Sequence, residues 1–252
     1  MALVEKGTLE KPDCFIFADT QAEPKAVYDH LEFCSQKASA LGVPLYKVTN
    51  GSLADDWFQG IEGDGEKHFA GIPFFVRNPD GTTAMMRRQC TSEYKVRPIR
   101  MKIRELFGAK PGERLPYQGV ECWMGISTDE MRRVRQSEDR WQVNRYPLID
   151  LGMSRASCLA FLKEAGWPTP PRSACVFCPF HSDYEWRSIK ENPETWASAV
   201  EFDRKLRTIA RFRGEAYLHR SMKPLDQVDF RTSEEAGQTS LWSSECLGMC
   251  GI

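Results

Sequence analysis

The chain has 252 residues, 34 Lys and Arg against 35 Asp and Glu, a net charge of −1 and 41% apolar residues. That balance argues against a general attraction to nucleic acid or to an anionic membrane surface, and no apolar run approaches the length of a membrane span. A chain of this size buries a core without disulfide staples. With no visible export signal, its nine cysteines point to a reducing, cytoplasmic setting, where clustered thiols signify metal binding or catalysis.

The first residues, MALVEKGTLEKPD, read as the end of an amphipathic helix. Residues 14–20, CFIFADT, form a short apolar run ending in Asp-Thr. They predict a buried parallel strand with polar groups at its C-terminal end. In the next stretch Val27, Leu31, Cys34 and Leu41 recur at helical spacing, and Gly42 closes the helix. Residues 43–50 read as a second strand, so the unit is strand–helix–strand, with parallel pairing as the usual outcome. From Gly51 to Gly81 the sequence is loop-rich, with IPFFV at 72–76 as a short strand. Residues 91–108 are helical in parts, and Pro98 must break that helix or start a second one.

Residues 120–127, VECWMGIS, read as a third strand ending in polar groups. The clearest helix is 153–168, with Ser154 as its cap and Gly166 and Pro168 as its stop. After SACVFCPF the chain is mostly helical, with a break at Pro193. The expected organisation is α/β. Residues 1–150 would form an adenine-nucleotide-binding α/β domain, and residues 151–252 a helical region carrying the cysteine pairs.

Cys175 and Cys178 stand three positions apart and Cys246 and Cys250 four apart, while Cys14, Cys34, Cys90, Cys122 and Cys158 are isolated. A C-x-x-C loop turns both thiolates to one side, and Pro179 stiffens its exit. It supplies two ligands, so a closed site needs two more, from Cys90, Cys246 and Cys250. Phe177 and Phe180 are placed to shield an iron–sulfur centre. The competing readings are a redox dithiol and a zinc site of Cys175, Cys178, Cys246 and Cys250. Cys14, Cys34, Cys122 and Cys158 lie in apolar segments and read as inert packing residues. Cys90 lies among Arg87, Arg88, Lys95 and Arg97, cations that favour a thiolate or a phosphate-bearing ligand. His181 is either a ligand, a donor to a sulfur, or the cap of the helix that follows. Trp167, Trp186 and Trp196 read as packing residues, with base stacking open to them only if exposed.

FADT, RRQCTSEYKVRPI, GISTDEMRR, RYPLIDLGMSR, PPRSACVFCPFHSDYEW and ECLGMCG occur in that order. Together they resemble the phosphoadenosine phosphosulfate reductase-like branch of the adenine nucleotide alpha hydrolase superfamily, particularly its phage and bacterial members. The resemblance implies a doubly wound parallel sheet with adenine nucleotide, ATP or an adenylyl sulfate, across the strand ends. It places Asp19, Thr20, Gly125 and Ile126 at the nucleotide, and Arg88 and Lys95 at its phosphates. Cys90, Cys175, Cys178 and Cys246 would hold a 4Fe-4S cluster, with zinc as the alternative, and Cys250 would be the mobile catalytic thiol. The reaction would be adenylyl sulfate reduction with a thioredoxin-like reductant, or ATP-dependent thiolation of a base in tRNA or DNA. Arg87, Arg97 and Arg132 are further candidate cations, and a homodimer is compatible with the resemblance.

The chain departs from this pattern at one place. Nothing in it matches the Ser/Gly-rich S-G-G-x-D-S loop whose backbone N–H groups wrap phosphates. The chain is therefore expected to begin after the first strand and its loop, with the strands at 14–20 and 120–127 pairing directly to close the gap. A metal-stabilised module without catalysis, or a zinc-binding nucleic-acid factor, is the competing function.

Overall fold

The computed structural model describes residues 1–62, 71–110, 112–208 and 214–231. A short helix α1 (Ala2–Glu5) precedes strand β1 (Phe15–Asp19), helix α2 (Lys25–Leu41) and strand β2 (Leu45–Thr49). β1 and β2 pair in parallel, Phe15 opposite Leu45 and Asp19 opposite Thr49, as a strand–helix–strand unit requires. Helix α2 ends at Gly42, whose φ of 70° is the left-handed conformation that lets its N–H reach back to the Ser39 carbonyl. Helix α3 (Leu53–Glu62) follows, then strands β3 (Phe75–Arg77) and β4 (Thr83–Met85).

A five-residue π-turn (Ser92–Val96) runs straight into helix α4 (Arg97–Leu106), with Pro98 in its first turn, where the missing N–H costs nothing. Strand β5 (Val120–Trp123), a 3₁₀ segment (Thr128–Arg133), strand β6 (Gln142–Arg145) and a single turn α5 (Pro147–Asp150) come next. Helix α6 (Arg155–Glu164) is capped by Ser154, whose side chain accepts from the Ser157 N–H. Helices α7 (Asp183–Glu191) and α8 (Pro193–Thr208) are separated at Pro193. Strand β7 (Glu215–Tyr217) and a 3₁₀ turn (Leu225–Gln227) end the described chain.

The expected doubly wound parallel sheet is not what forms. The strands make three separate small sheets: β1 with β2 and β5 with β6, each parallel, and an antiparallel sheet in the order β4-β3-β7. The anticipated pairing of residues 14–20 with 120–127 is absent as well, since β1 and β5 each bond one described strand, and not each other. The physical consequence shows in burial. Phe15, Ile16 and Phe17, apolar enough for a central strand, are only half-buried, and no described strand pairs with the second edge of β1. The antiparallel sheet arises from a turn at Asn78–Thr82. There Gly81, at φ 82°, donates to the Asn78 carbonyl and the Asn78 N–H donates to the Thr82 carbonyl.

The main core draws on both halves of the sequence. Trp57, Phe74, Trp186, Leu206, Leu218 and Leu225 are almost completely buried, and Phe177 stacks flat on Phe202 with ring centroids 3.9 Å apart. The buried carboxylate of Asp203 ties the C-terminal segment to α8. It accepts from the Leu218 N–H (3.1 Å), the Leu225 N–H (2.9 Å) and Arg207 (2.5 Å). Among the described residues no helix is long and apolar enough to cross a membrane.

Candidate functional site

The site is built around the end of β1. The chain leaves Asp19-Thr20 through Gln21, a non-glycine residue at φ 59°, a costly conformation that the surroundings must enforce. They do so through Asp19, whose buried carboxylate accepts from the Gln21 N–H (2.8 Å), the Tyr28 hydroxyl (2.8 Å) and Lys47 (2.8 Å). Burial alone would raise the Asp19 pKa, but Lys47 and the two hydrogen bonds outweigh it and hold the group below its ordinary value.

Thr20, 1% exposed, turns inward. Its Oγ1 lies 3.3 Å from Cys175 Sγ and 3.5 Å from Glu23 Oε1. The Glu23 side chain is fully buried, pairs with Lys95 Nζ at 3.1 Å and accepts from Ser173 Oγ at 3.1 Å. A backbone bond from the Val176 N–H to the Ala22 carbonyl (2.8 Å) fixes the same junction. Three distant segments are thereby held together: the exit of β1, the π-turn carrying Lys95, and the C-x-x-C loop. A fully buried carboxylate with a cation and a hydroxyl on it is an arrangement in which removing one partner leaves an uncompensated charge.

Within the loop, the Cys178 N–H donates to the Cys175 carbonyl (2.9 Å) and the His181 N–H to the Cys178 carbonyl (3.2 Å). His181 Nε2 donates to the Cys175 carbonyl (2.8 Å), which fixes the tautomer and leaves the buried Nδ1 without a hydrogen bond, 3.9 Å from Glu185 Oε2. Burial lowers the His181 pKa, so the ring is neutral near pH 7. The helix cap expected of His181 belongs instead to Ser182, which forms a full capping box with Glu185. Arg172 binds the Glu185 carboxylate from outside.

Cys90 comes in from a third segment. The Gln89 and Cys90 N–H groups both donate to the Gly71 carbonyl, at 2.8 and 3.3 Å, and the Cys90 side chain packs against the same core as Cys175. Cys90 and Cys178 are near enough for their charges to interact, as are Cys175 and Cys178. Burial pushes the Cys175 thiol up to about 12, opposed by its hydrogen bond to Thr20 and by Lys95. Burial also raises Cys178, with Cys90 adding to the rise and Arg88 and Arg172 opposing it. Arg88 lies over the Phe180 ring, 5.5 Å from its centroid. The site therefore combines two buried thiols, Cys175 and Cys178, with Cys90 within electrostatic reach of Cys178 and cations at its rim.

Not every expected residue comes here. Gly125 and Ile126 lie beyond the C-terminal end of β5, with the Ile126 N–H closed onto the Met124 carbonyl. Arg97 pairs with Glu93 in the π-turn before its helix. Cys246 and Cys250 lie outside the described residues. Cys14, Cys34, Cys122 and Cys158 are half-buried, each thiol raised by burial, Cys122 to about 11 with Cys14 near enough to add to the rise. Trp167 and Trp186 are buried and pack against other side chains, so neither is open to a base. Sequence reasoning missed Glu23, Ser173, Arg172 and Glu185. The one signal was Glu23 directly before Pro24, a charged residue in the tight exit of a strand.

The donor set, three soft thiols with a buried backbone around them, has the chemistry of a thiolate-bound metal centre. Among the described residues, no three His, Cys, Asp or Glu side chains stand at the spacing of a single metal ion. No family model, no curated protein and no solved structure matches the chain significantly.

Proposed function

We propose that this chain is an iron–sulfur-dependent sulfur-transfer enzyme of the phosphoadenosine phosphosulfate reductase-like type. The observation that carries the reading is the convergence of Cys90 with Cys175 and Cys178 at the end of β1, from positions 85 or more residues apart in sequence. Cys90, Cys175, Cys178 and Cys246 would hold a 4Fe-4S cluster, which when bound would supply sulfur or electron chemistry beside the nucleotide.

The remaining roles follow from this chain's own residues. Thr20 and the Lys95–Glu23 pair position Cys175. Arg88 and Arg172 place positive charge at the rim, where an anionic substrate would dock. Cys250 is the nucleophile. In the reductive form its thiolate attacks the sulfur of an adenylyl sulfate. The sulfur–oxygen bond to the nucleotide breaks, and the nucleotide leaves. A thioredoxin-like dithiol then releases sulfite and becomes a disulfide. In the thiolating form, a carbonyl oxygen of a nucleobase attacks the ATP α-phosphorus and pyrophosphate leaves; a hydrosulfide-level sulfur then adds to that carbon, AMP leaves, and loss of a proton gives the thiocarbonyl.

A second reading is a metal-stabilised binding module without catalysis, favoured by one specific feature: the sequence contains no S-G-G-x-D-S phosphate loop. The two are separated by supplying adenylyl sulfate with thioredoxin, or ATP with tRNA or DNA, and measuring sulfite or AMP. Release that disappears in Cys250→Ser supports the enzyme. A metal-loaded protein that forms neither product supports the module.

A further inference from the structure

The chain has several basic stretches, and their electrostatic state differs. On α4, Arg97 pairs with Glu93, Arg100 with Asp139 and Lys102 with Glu105, while Arg104 donates to the Lys110 and Glu113 carbonyls. That helix has spent its charge on the fold. In the segment MRRVR at 131–135 Arg133 pairs with Glu130, while Arg132 and Arg135 pair with no described carboxylate. The segment follows the C-terminal end of β5 and is pinned by backbone bonds that leave its side chains outside. The Thr128 N–H donates to the Met153 carbonyl. The Arg135 N–H donates to the Tyr146 hydroxyl (2.9 Å), which in turn donates to the Arg135 carbonyl (2.6 Å). The Arg155 backbone N–H binds Asp129, which brings the start of α6 alongside.

Two carboxylates near this ridge are paired with arginines, and a third, Asp129, accepts from neutral donors. Asp129 is taken by Arg155 N–H and Ser127, Glu130 by Arg133, and Asp150 by Arg145. Arg132, Arg135 and Arg155 are exposed and meet no carboxylate among the described residues. Between them Met131 and Val134 stand 59% and 41% exposed. Uncompensated guanidinium groups interleaved with exposed apolar side chains suit a ligand that offers a row of phosphates and flat apolar faces. On a protein of net charge −1 such charge is local, so it selects one docking surface rather than general adhesion.

We propose that the ridge formed by Arg132, Arg135 and Arg155 at the C-terminal ends of β5 and β6 binds the phosphate backbone of a nucleic acid. That this nucleic acid is the sulfur acceptor rests on the sulfur-transfer reading; the binding itself does not.

The test is fluorescence anisotropy of labelled 20-mers of single-stranded RNA, single-stranded DNA and duplex DNA with the full chain, titrated across salt concentrations. Three phosphate contacts give a log–log salt slope of about −2 to −3, and each neutralised arginine removes somewhat less than one unit of it. The triple variant Arg132→Gln, Arg135→Gln, Arg155→Gln should bind at least about tenfold more weakly at low salt, with the slope close to zero. Arg114→Gln, in the loop before the N-terminal end of β5, should bind like wild type. Far-ultraviolet circular dichroism checks that the triple variant is folded. The comparison of oligonucleotides tells which nucleic acid is preferred. Wild type that binds none of the three at low salt, a triple variant that binds undiminished, or an equal loss in Arg114→Gln would each overturn the proposal. Running the same titration on Cys175→Ala separates the two ideas. Binding retained there, in a protein without metal, supports the ridge whatever becomes of the thiol centre.

Discussion

Gly71 is where the approach of Cys90 depends on a missing side chain. Its carbonyl receives the Gln89 and Cys90 N–H groups, and its own N–H donates to Gln89 Oε1 at 2.9 Å. A Cβ at this position would stand 2.4 Å from the Arg87 carbonyl oxygen and 2.9 Å from Gln89 Oε1, where ordinary contact begins at 3.4 Å. The Gln89 side chain can swing away at the loss of its hydrogen bond. The Arg87 carbonyl is backbone, and relieving the overlap means moving it by about 1 Å, together with the chain that leads to Cys90. Overpacking of this kind costs about 1–3 kcal/mol, and the weakened backbone bonds add about 1 kcal/mol. Gly71→Ala should therefore lose about 2–4 kcal/mol in urea denaturation of the metal-free chain. In anaerobically purified protein it should also retain less metal. Gly125→Ala is the control, because a Cβ there meets nothing within 4 Å, and its stability should stay within about 0.5 kcal/mol of wild type. A Gly71→Ala protein of wild-type stability and metal content would refute the claim that this close approach delivers Cys90 to the site.

Asp203→Ala should be among the most destabilising single changes, because it strands two buried backbone N–H groups and the Arg207 charge. A loss of about 3–5 kcal/mol is expected, readable as a melting temperature lower by about 10 °C; a loss under about 1 kcal/mol would contradict the role given to this carboxylate. Glu185 supplies a pH test. Burial would raise its pKa, yet Arg172 and Ser182 more than offset this and hold it below 4.5. A depressed folded pKa means the contribution is present above the unfolded value and is lost as pH falls through the folded one. Wild type should accordingly be more stable than Glu185→Gln at pH 7, with the difference vanishing in acid; a difference independent of pH would exclude the ion pair as its source. Asp19 behaves in the same sense, so Lys47→Met should weaken the acid-sensitive part of stability at the end of β1.

Local elements were readable in the sequence because local chemistry dictates them. The Ser154 cap, the Gly42 stop, the break at Pro193 and Pro98 in the first turn of α4 each follow from what one residue can or cannot do with its backbone. The sheet arrangement was not readable. An apolar run such as CFIFADT announces a strand but carries no address for its neighbour, and the antiparallel trio joins β7 to β3 across some 140 residues. The turn between β3 and β4 was the overlooked cue: Asn78-Pro79-Asp80-Gly81 is a hairpin turn in composition. At the site, Cys90, Cys175 and Cys178 could be grouped as soft ligands by residue type. The partners that hold them, Glu23 and Ser173, could not, since an isolated Glu or Ser in a loop looks like any solvated residue until the fold buries it.

Iron, acid-labile sulfide and zinc measured in the full chain purified under strict exclusion of oxygen test the central claim most directly. A brown protein carrying iron and sulfide, bleached by Cys90→Ser, Cys175→Ser or Cys178→Ser and untouched by Cys34→Ser, is the result predicted. Metal-free protein, or zinc without sulfide, would contradict it.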